Sequence, residues 1–250
     1  MTEELGRLRE IAYARLPGTK PGVVFLGGFH SDMQGNKATF LRGHCAAHDR
    51  AYLRLDYSGH GESGGRFEEG SIGLWLADAE SALLELTDGP QILVGSSMGG
   101  WIAMLLARRH PTKVAAVLGI AAAPDFLTML LEPALPAKAR AELAAKGVVL
   151  MPSEYGEPTP ITRHLVEESK EHLLLDPGFD LPCPLHLVQG MADPDVPWHH
   201  ALRIVEACRR QDTRLTLIRD GDHRLSRPQD LELICQLLGA LLSTAASPSR

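Results

Sequence analysis

The cysteines of this 250-residue chain form no C-x-x-C pair: Cys45, Cys183, Cys208 and Cys235 are scattered, as expected of reduced packing residues in a reducing compartment. No stretch approaches the length of apolar run needed to cross a bilayer. The start, Met1 to Glu10, alternates in charge and has no apolar core of signal-peptide length. The expectation is therefore a cytoplasmic protein without membrane insertion. Positive charge is also not in excess: the net charge of -6 argues against a nucleic-acid partner, which requires a concentrated basic face. There is no internal repeat and no low-complexity linker. His44, Cys45 and His48 have a helix-like metal spacing but lack a fourth ligand, so they read as a solvated helix face and no metal is expected.

What is present is ordinary for a globular protein, with 44% hydrophobic and 22% charged residues. The length suits one large α/β domain carrying an insertion. Ile11 to Leu16 alternates like an edge strand, and Pro17 to Gly22 reads as a turn. Val23–Leu26, Ala51–Leu55, Ile92–Val94, Lys113–Ile120, Pro184–Gln189 and Arg214–Ile218 are short apolar runs typical of strands. Between them, Asn36–Ala47, Ser71–Leu86, the segment from Trp101, and Trp198–Cys208 have helical spacing, and Leu231–Leu242 closes the chain before a small polar tail from Ser243 to Arg250. Strands that are apolar on both faces and alternate with helices imply a mostly parallel central sheet covered on both sides.

The alternation breaks after Ala123. Prolines cluster, Pro136–Lys146 closed by Gly147 reads as a helix, Thr162–Leu173 as another, and Val148–Met151 with Tyr155 as a short hairpin. The expected organisation is a core of residues 1–123 and 183–250 with a lid inserted at 124–182. Phe126, Leu127, Met129, Leu130 and Leu131 in that insertion either face an apolar acyl group or pack the lid to the core.

Gly95-Ser-Ser-Met-Gly99 follows a strand and precedes a helix, the setting of a nucleophile elbow that exposes Ser97 on a sharp turn. A serine hydroxyl needs a base, itself oriented by a carboxylate. In the elbow architecture the order is Ser, acid, His, each on a loop after a strand. Asp193 and His223 fall on such loops. Asp195, close by, and Asp125, after the strand ending at Ile120, remain alternatives for the acid, whereas Asp222 would have to fold back on its neighbour. The Met98 N–H at the helix start and the Phe29 N–H, just past Gly27-Gly28, are the expected oxyanion donors. His60, in the glycine-punctuated loop Asp56–Ser63 at the carboxyl end of a strand, either faces the site or, the favoured reading, is a surface histidine.

These residues together resemble the α/β-hydrolase superfamily over nearly the whole chain. Gly28–Met33, Leu55–Ser63, Pro90–Trp101, Met151–Tyr155, Gly190–Asp193 with Val196–Trp198, and Gly221–Arg224 look like their counterparts in mitochondrial abhydrolase-domain enzymes that remove palmitoyl groups from cysteines and cleave acyl glucuronides. The resemblance implies Ser97 as nucleophile, Asp193 as acid and His223 as base, with no cofactor. It implies a small-molecule or acylated-protein ester or thioester as substrate. The chain departs from those relatives in having Gly27-Gly28 before Phe29 where they have Pro-Gly before Tyr, and in lacking a mitochondrial presequence, which leads to the expectation of a bacterial relative. A peptidase or amidase on the same fold, and a binding protein that retains the fold without turnover, are the alternative readings.

Overall fold

The computed structural model describes residues 2–152 and 158–246. Its strands are β1 (Glu4–Leu8), β2 (Ile11–Leu16), β3 (Thr19–Leu26), β4 (Arg50–Leu55), β5 (Gln91–Ser96), β6 (Val114–Ile120), β7 (Val148–Met151), β8 (Thr159–Thr162), β9 (Leu185–Gly190) and β10 (Thr213–Ile218). The helices are α1 (Asn36–Ala47), α2 (Ile72–Leu86), α3 (Met98–Arg109), α4 (Glu132–Ala134), α5 (Ala137–Lys146), α6 (Arg163–Ser169), α7 (Trp198–Ala207) and α8 (Pro228–Ala246).

One eight-stranded sheet runs in the order β1-β2-β4-β3-β5-β6-β9-β10, antiparallel at β1/β2 and β2/β4 and parallel beyond. The two-residue period of a strand distributes its apolar run between two cores. Val23, Phe25, Ile92, Val94, Leu118 and Val188 meet α1 and α8 through Leu41, Cys45, Ile234 and Leu238. Val24, Leu26, Leu93, Val117 and Leu187 meet α2, α3 and α7 on the other face through Trp75, Leu83, Trp101, Ile102 and Ile204. This double burial is why the central stretches Val23–Leu26, Ile92–Val94 and Val114–Ile120 are apolar without interruption, whereas the edge strand β10, partly exposed, alternates with polar residues.

Local chemistry sets several boundaries. The Ser71 hydroxyl accepts the Leu74 N–H at 3.2 Å and starts α2, and the Thr162 hydroxyl accepts the Leu165 N–H at 3.1 Å and starts α6. Gly147 ends α5 in the left-handed region, at φ 77°. The start of the chain differs from the sequence reading. Its alternating charges form the edge strand β1, tied to β2 where Arg15 meets Glu4 at 2.6 Å and 3.2 Å, so β2 is interior. Strand β3 begins at Thr19, inside the expected turn, with a register shift against β4 between Thr19 and Val23. At the other end α8 extends to Ala246, through half of the expected polar tail.

Between β6 and β9 the chain forms a π-helical turn (Leu127–Leu131), α4, α5, the hairpin β7/β8 and α6. Leu135, Leu143, Val149, Ile161 and Val166 gather there in a small apolar cluster that packs on Phe29 and Leu131. Strand β7 pairs with Thr159–Thr162; Tyr155, expected opposite it, lies outside the described residues. The entry and exit of this segment are clasped together. The buried Asp125 carboxylate accepts the Leu174 N–H at 2.9 Å and the Leu175 N–H at 2.8 Å. No helix among the described residues is long and apolar enough to cross a membrane.

Candidate active site

Because the central strands are parallel, the loops after β3, β4, β5, β6, β9 and β10 collect at one edge of the sheet, where open α/β sheets bind ligands. Ser97 stands between β5 and α3 at φ 54° and ψ -119°, a positive-φ conformation outside the left-handed helical basin that costs a non-glycine residue about 1–3 kcal/mol. Its backbone is held on both sides. The N–H donates to the Ile120 carbonyl at 2.9 Å, and the carbonyl accepts the Gly100 and Ala123 N–H groups at 2.9 and 3.1 Å. The turn is tight enough that a Cβ on Gly95 would collide with the Gly99 carbonyl, and one on Gly100 would stand 2.6 Å from the Ala122 Cβ.

Glycine also joins the two loops beyond β9 and β10. A Cβ on Gly190 would strike the Gly221 carbonyl, which itself accepts the Ala192 N–H at 2.9 Å. Pinned in this way, the loops bring Asp193 to His223. The His223 Nδ1–H donates to Asp193 Oδ2 at 2.8 Å, and the Asp193 side chain is fully buried. Three more donors complete the carboxylate: Gln189 Nε2–H to Oδ2 at 2.9 Å, and the N–H groups of Asp195 and Val196 to Oδ1 at 2.9 and 2.8 Å. Burial pushes the Asp193 pKa up, but the His223 hydrogen bond and charge and the backbone donors outweigh it, and the net shift is downward. The carboxylate therefore stays ionised, which fixes the tautomer of His223 with its proton on Nδ1 and leaves Nε2 bare.

Two of the alternative acids are committed elsewhere: Asp222 accepts the Leu225 N–H at 2.9 Å, and Asp125 clasps the ends of the β6–β9 segment. Asp195 stands beside the pair and gives Asp193 its backbone N–H, but among the described residues the hydrogen bond to the His223 ring is made by Asp193. Lys37 on α1, half-buried, donates to the Arg224 carbonyl beside His223, and burial lowers its pKa to about 8 against the opposing charges of Asp222 and Asp193.

Ser97, His223 and the loop Gly28–Phe29–His30 line one cavity of about 920 Å³. Among the described residues no hydrogen bond joins Ser97 Oγ to His223; catalytic contacts of this kind often tighten only when substrate is bound. A Cβ on Gly28 would lie 3.4 Å from the Ser97 Cβ, so the loop after β3 runs directly over the serine. The Met98 N–H sits in the first turn of α3, where no intrahelical acceptor exists. Phe126, Leu130, Leu131, Met151 and Ile161 from the β6–β9 segment give the cavity an apolar wall. Leu127 is instead fully buried in the core, and Met129 is not part of the wall.

His44, Cys45 and His48 form no ligand group. The Cys45 thiol is buried, which pushes its pKa up to about 12, and the His44 and His48 rings lie against each other, tilted, with centroids 4.4 Å apart. All four cysteines are free and buried. Asp193, Asp195 and His223 are the sole cluster of such groups among the described residues, and Asp193 there is saturated with N–H donors. Gln189, the Gly190–Gly221 contact and the burial of His60 were not anticipated. Gln189 had a signal, a polar residue inside a run that should be buried on both faces. His60, expected at the surface, is 4% exposed.

The family model described as Hydrolase_4, serine aminopeptidase S33, matches residues 19–174. The mitochondrial palmitoyl-protein thioesterase ABHD10 of Bos taurus is 38% identical over 237 residues, covering 94% of this chain and 77% of its own. Among solved structures, a putative hydrolase from Agrobacterium vitis S4 superposes with a TM-score of 0.91 at 42% identity, covering 97% of this chain and 100% of its own. Mouse alpha/beta hydrolase domain-containing protein 10 superposes with a TM-score of 0.89 at 34% identity, covering 98% of this chain and 100% of its own.

Proposed function

Because this chain belongs to the α/β-hydrolase family, in the group described as serine aminopeptidase S33, we propose that it hydrolyses carboxylic esters or thioesters through an acyl-Ser97 intermediate. The observation that carries the reading is the buried Asp193–His223 pair at 2.8 Å, opening on the cavity that Ser97 lines. His223 Nε2 takes the Ser97 proton as Oγ attacks the acyl carbon. The imidazolium is stabilised through Nδ1–H by Asp193 and then protonates the departing alkoxide or thiolate. Water, deprotonated by the same nitrogen, releases the acid and regenerates Ser97.

Negative charge develops on the carbonyl oxygen at each tetrahedral stage. The N–H groups of Phe29 and Met98 are the donors for it, and losing one such donor costs about 10²–10³ in rate. The segment between β6 and β9 acts as a lid that excludes water, and its apolar wall favours an apolar acyl group. The thioesterase named among the relatives supports the same substrate class.

The test is a panel of p-nitrophenyl esters, acyl thioesters and acyl amides of graded chain length, run on wild type and Ser97→Ala. The expected result is ester and thioester turnover that disappears in Ser97→Ala, with amides much slower. Turnover that survives in Ser97→Ala refutes the mechanism. Amides cleaved faster than esters would make the enzyme a peptidase or amidase instead.

A further inference from the structure

The loop that carries Phe29 is braced from behind by a second loop. His60, between β4 and α2, is buried edge-on against Phe67, Trp75 and Tyr57, with ring centroids at 5.0, 5.1 and 5.6 Å. Its Nδ1 lies 3.2 Å from the Ser58 carbonyl oxygen and its Nε2 lies 3.2 Å from the His30 backbone nitrogen. A carbonyl only accepts and a backbone N–H only donates. The ring is therefore the neutral tautomer with its proton on Nδ1 and a lone pair on Nε2 directed at the His30 N–H. Burial favours that neutral form, lowering the pKa of His60 to about 4.

The other end of the brace is fixed to α2. The Ser58 carbonyl also accepts the Trp75 Nε1–H at 3.0 Å, and the Ser58 N–H donates to Asp78 Oδ2 at 2.8 Å. His30 itself sits at φ 57°, a conformation a non-glycine residue keeps only when its surroundings hold it. The His30 N–H belongs to the Phe29–His30 peptide plane, so the imidazole lone pair sets the orientation of the peptide that follows the Phe29 N–H. Phe29 is locked on its side-chain flank too, against Phe67, Trp75 and Phe126 at 5.1, 5.7 and 5.6 Å.

We propose that His60 is a positioning residue for oxyanion stabilisation: its Nε2 lone pair holds the His30 N–H and so keeps the neighbouring Phe29 N–H aimed at the space in front of Ser97. The inference rests on the reading of Ser97 as nucleophile and Phe29 as donor. His60 touches no substrate. It acts as a preorganising strut, and preorganised donors lower the barrier because they do not reorient as charge develops.

The experiment compares wild type, His60→Phe and His60→Gln on p-nitrophenyl butyrate, after Ser97→Ala has been shown to abolish turnover. Phenylalanine keeps the ring packing and removes the acceptor; glutamine restores an acceptor oxygen. The expected result is a kcat about ten- to a hundredfold lower in His60→Phe with KM within about twofold, and recovery of most of the loss in His60→Gln. Affinity for a trifluoromethyl ketone, whose adduct with serine carries the oxyanion, should fall in parallel with kcat. Equal kcat in wild type and His60→Phe overturns the positioning role while leaving the nucleophile assignment standing, as does an equal loss in both variants. Should His60→Phe fail to fold, 15N spectra of the wild-type imidazole decide. A proton on Nδ1 with Nε2 bare supports the proposal, and a proton on Nε2 overturns it.

Discussion

Glycine to alanine inside a helix ordinarily stabilises, by about 1 kcal/mol, because alanine loses less backbone entropy on folding. Gly43 in α1 and Gly239 in α8 meet that condition, since a Cβ at either position would find no atom within 4 Å. Gly43→Ala and Gly239→Ala should each raise the melting temperature by about 2–4 °C in a chain of this size. Gly99 is also helical, yet its sign reverses. A Cβ there would be driven into the backbone carbonyl oxygens of Leu26 and Gly27, neither of which can rotate away as a side-chain tip could. Overpacking of this kind costs about 1–3 kcal/mol, which exceeds the propensity gain. The displaced atoms precede Gly28 and Phe29, so Gly99→Ala should lose more in kcat than in stability. Thermal denaturation and ester hydrolysis on the three variants read both quantities. A Gly99→Ala protein as stable and as active as Gly43→Ala would refute the close approach of α3 to the end of β3.

The acid assignment predicts that Asp193→Asn loses turnover by several orders of magnitude, since the wrong tautomer of His223 is then favoured. Asp195→Asn, whose contribution is a backbone N–H, should retain most of its rate; steady-state kinetics on one ester distinguishes the two, and loss only in Asp195→Asn reverses the assignment. The depressed pKa of His60 has a thermodynamic counterpart. The group is neutral when folded down to about 4 and titrates near 6.5 when unfolded, so the unfolded chain binds the extra proton between those values. Its contribution to stability is complete above pH 6.5 and is lost as the pH falls towards 4, a total of about 3 kcal/mol. Urea unfolding at stepped pH should show the stability gap between wild type and His60→Gln narrowing across that window; a gap that stays constant contradicts the burial of a neutral imidazole.

The parts of this molecule legible in its sequence were those whose cause is local. Helix α1 and the strand cores of β3, β4, β5 and β6 follow from apolar periodicity, and the elbow follows from glycines that no other residue could replace. Strand β1 was not legible, because an exposed edge strand buries little and its alternating charges look like a solvated terminus. The loops carrying Asp193 and His223 could be located, but the Gly190–Gly221 contact that joins them is a long-range packing event with no local signature. His60 shows the same limit. Its loop is rich in glycine and polar residues, and its burial comes from Phe67 and Trp75, which follow in sequence but reach it only through the fold.

Covalent acylation of Ser97 is tested most simply by fluorophosphonate labelling followed by peptide mass mapping. A single adduct is expected on the peptide containing Ser97, absent from Ser97→Ala and slowed severely in His223→Ala. An adduct on another residue, or labelling of Ser97→Ala at the wild-type rate, would contradict it.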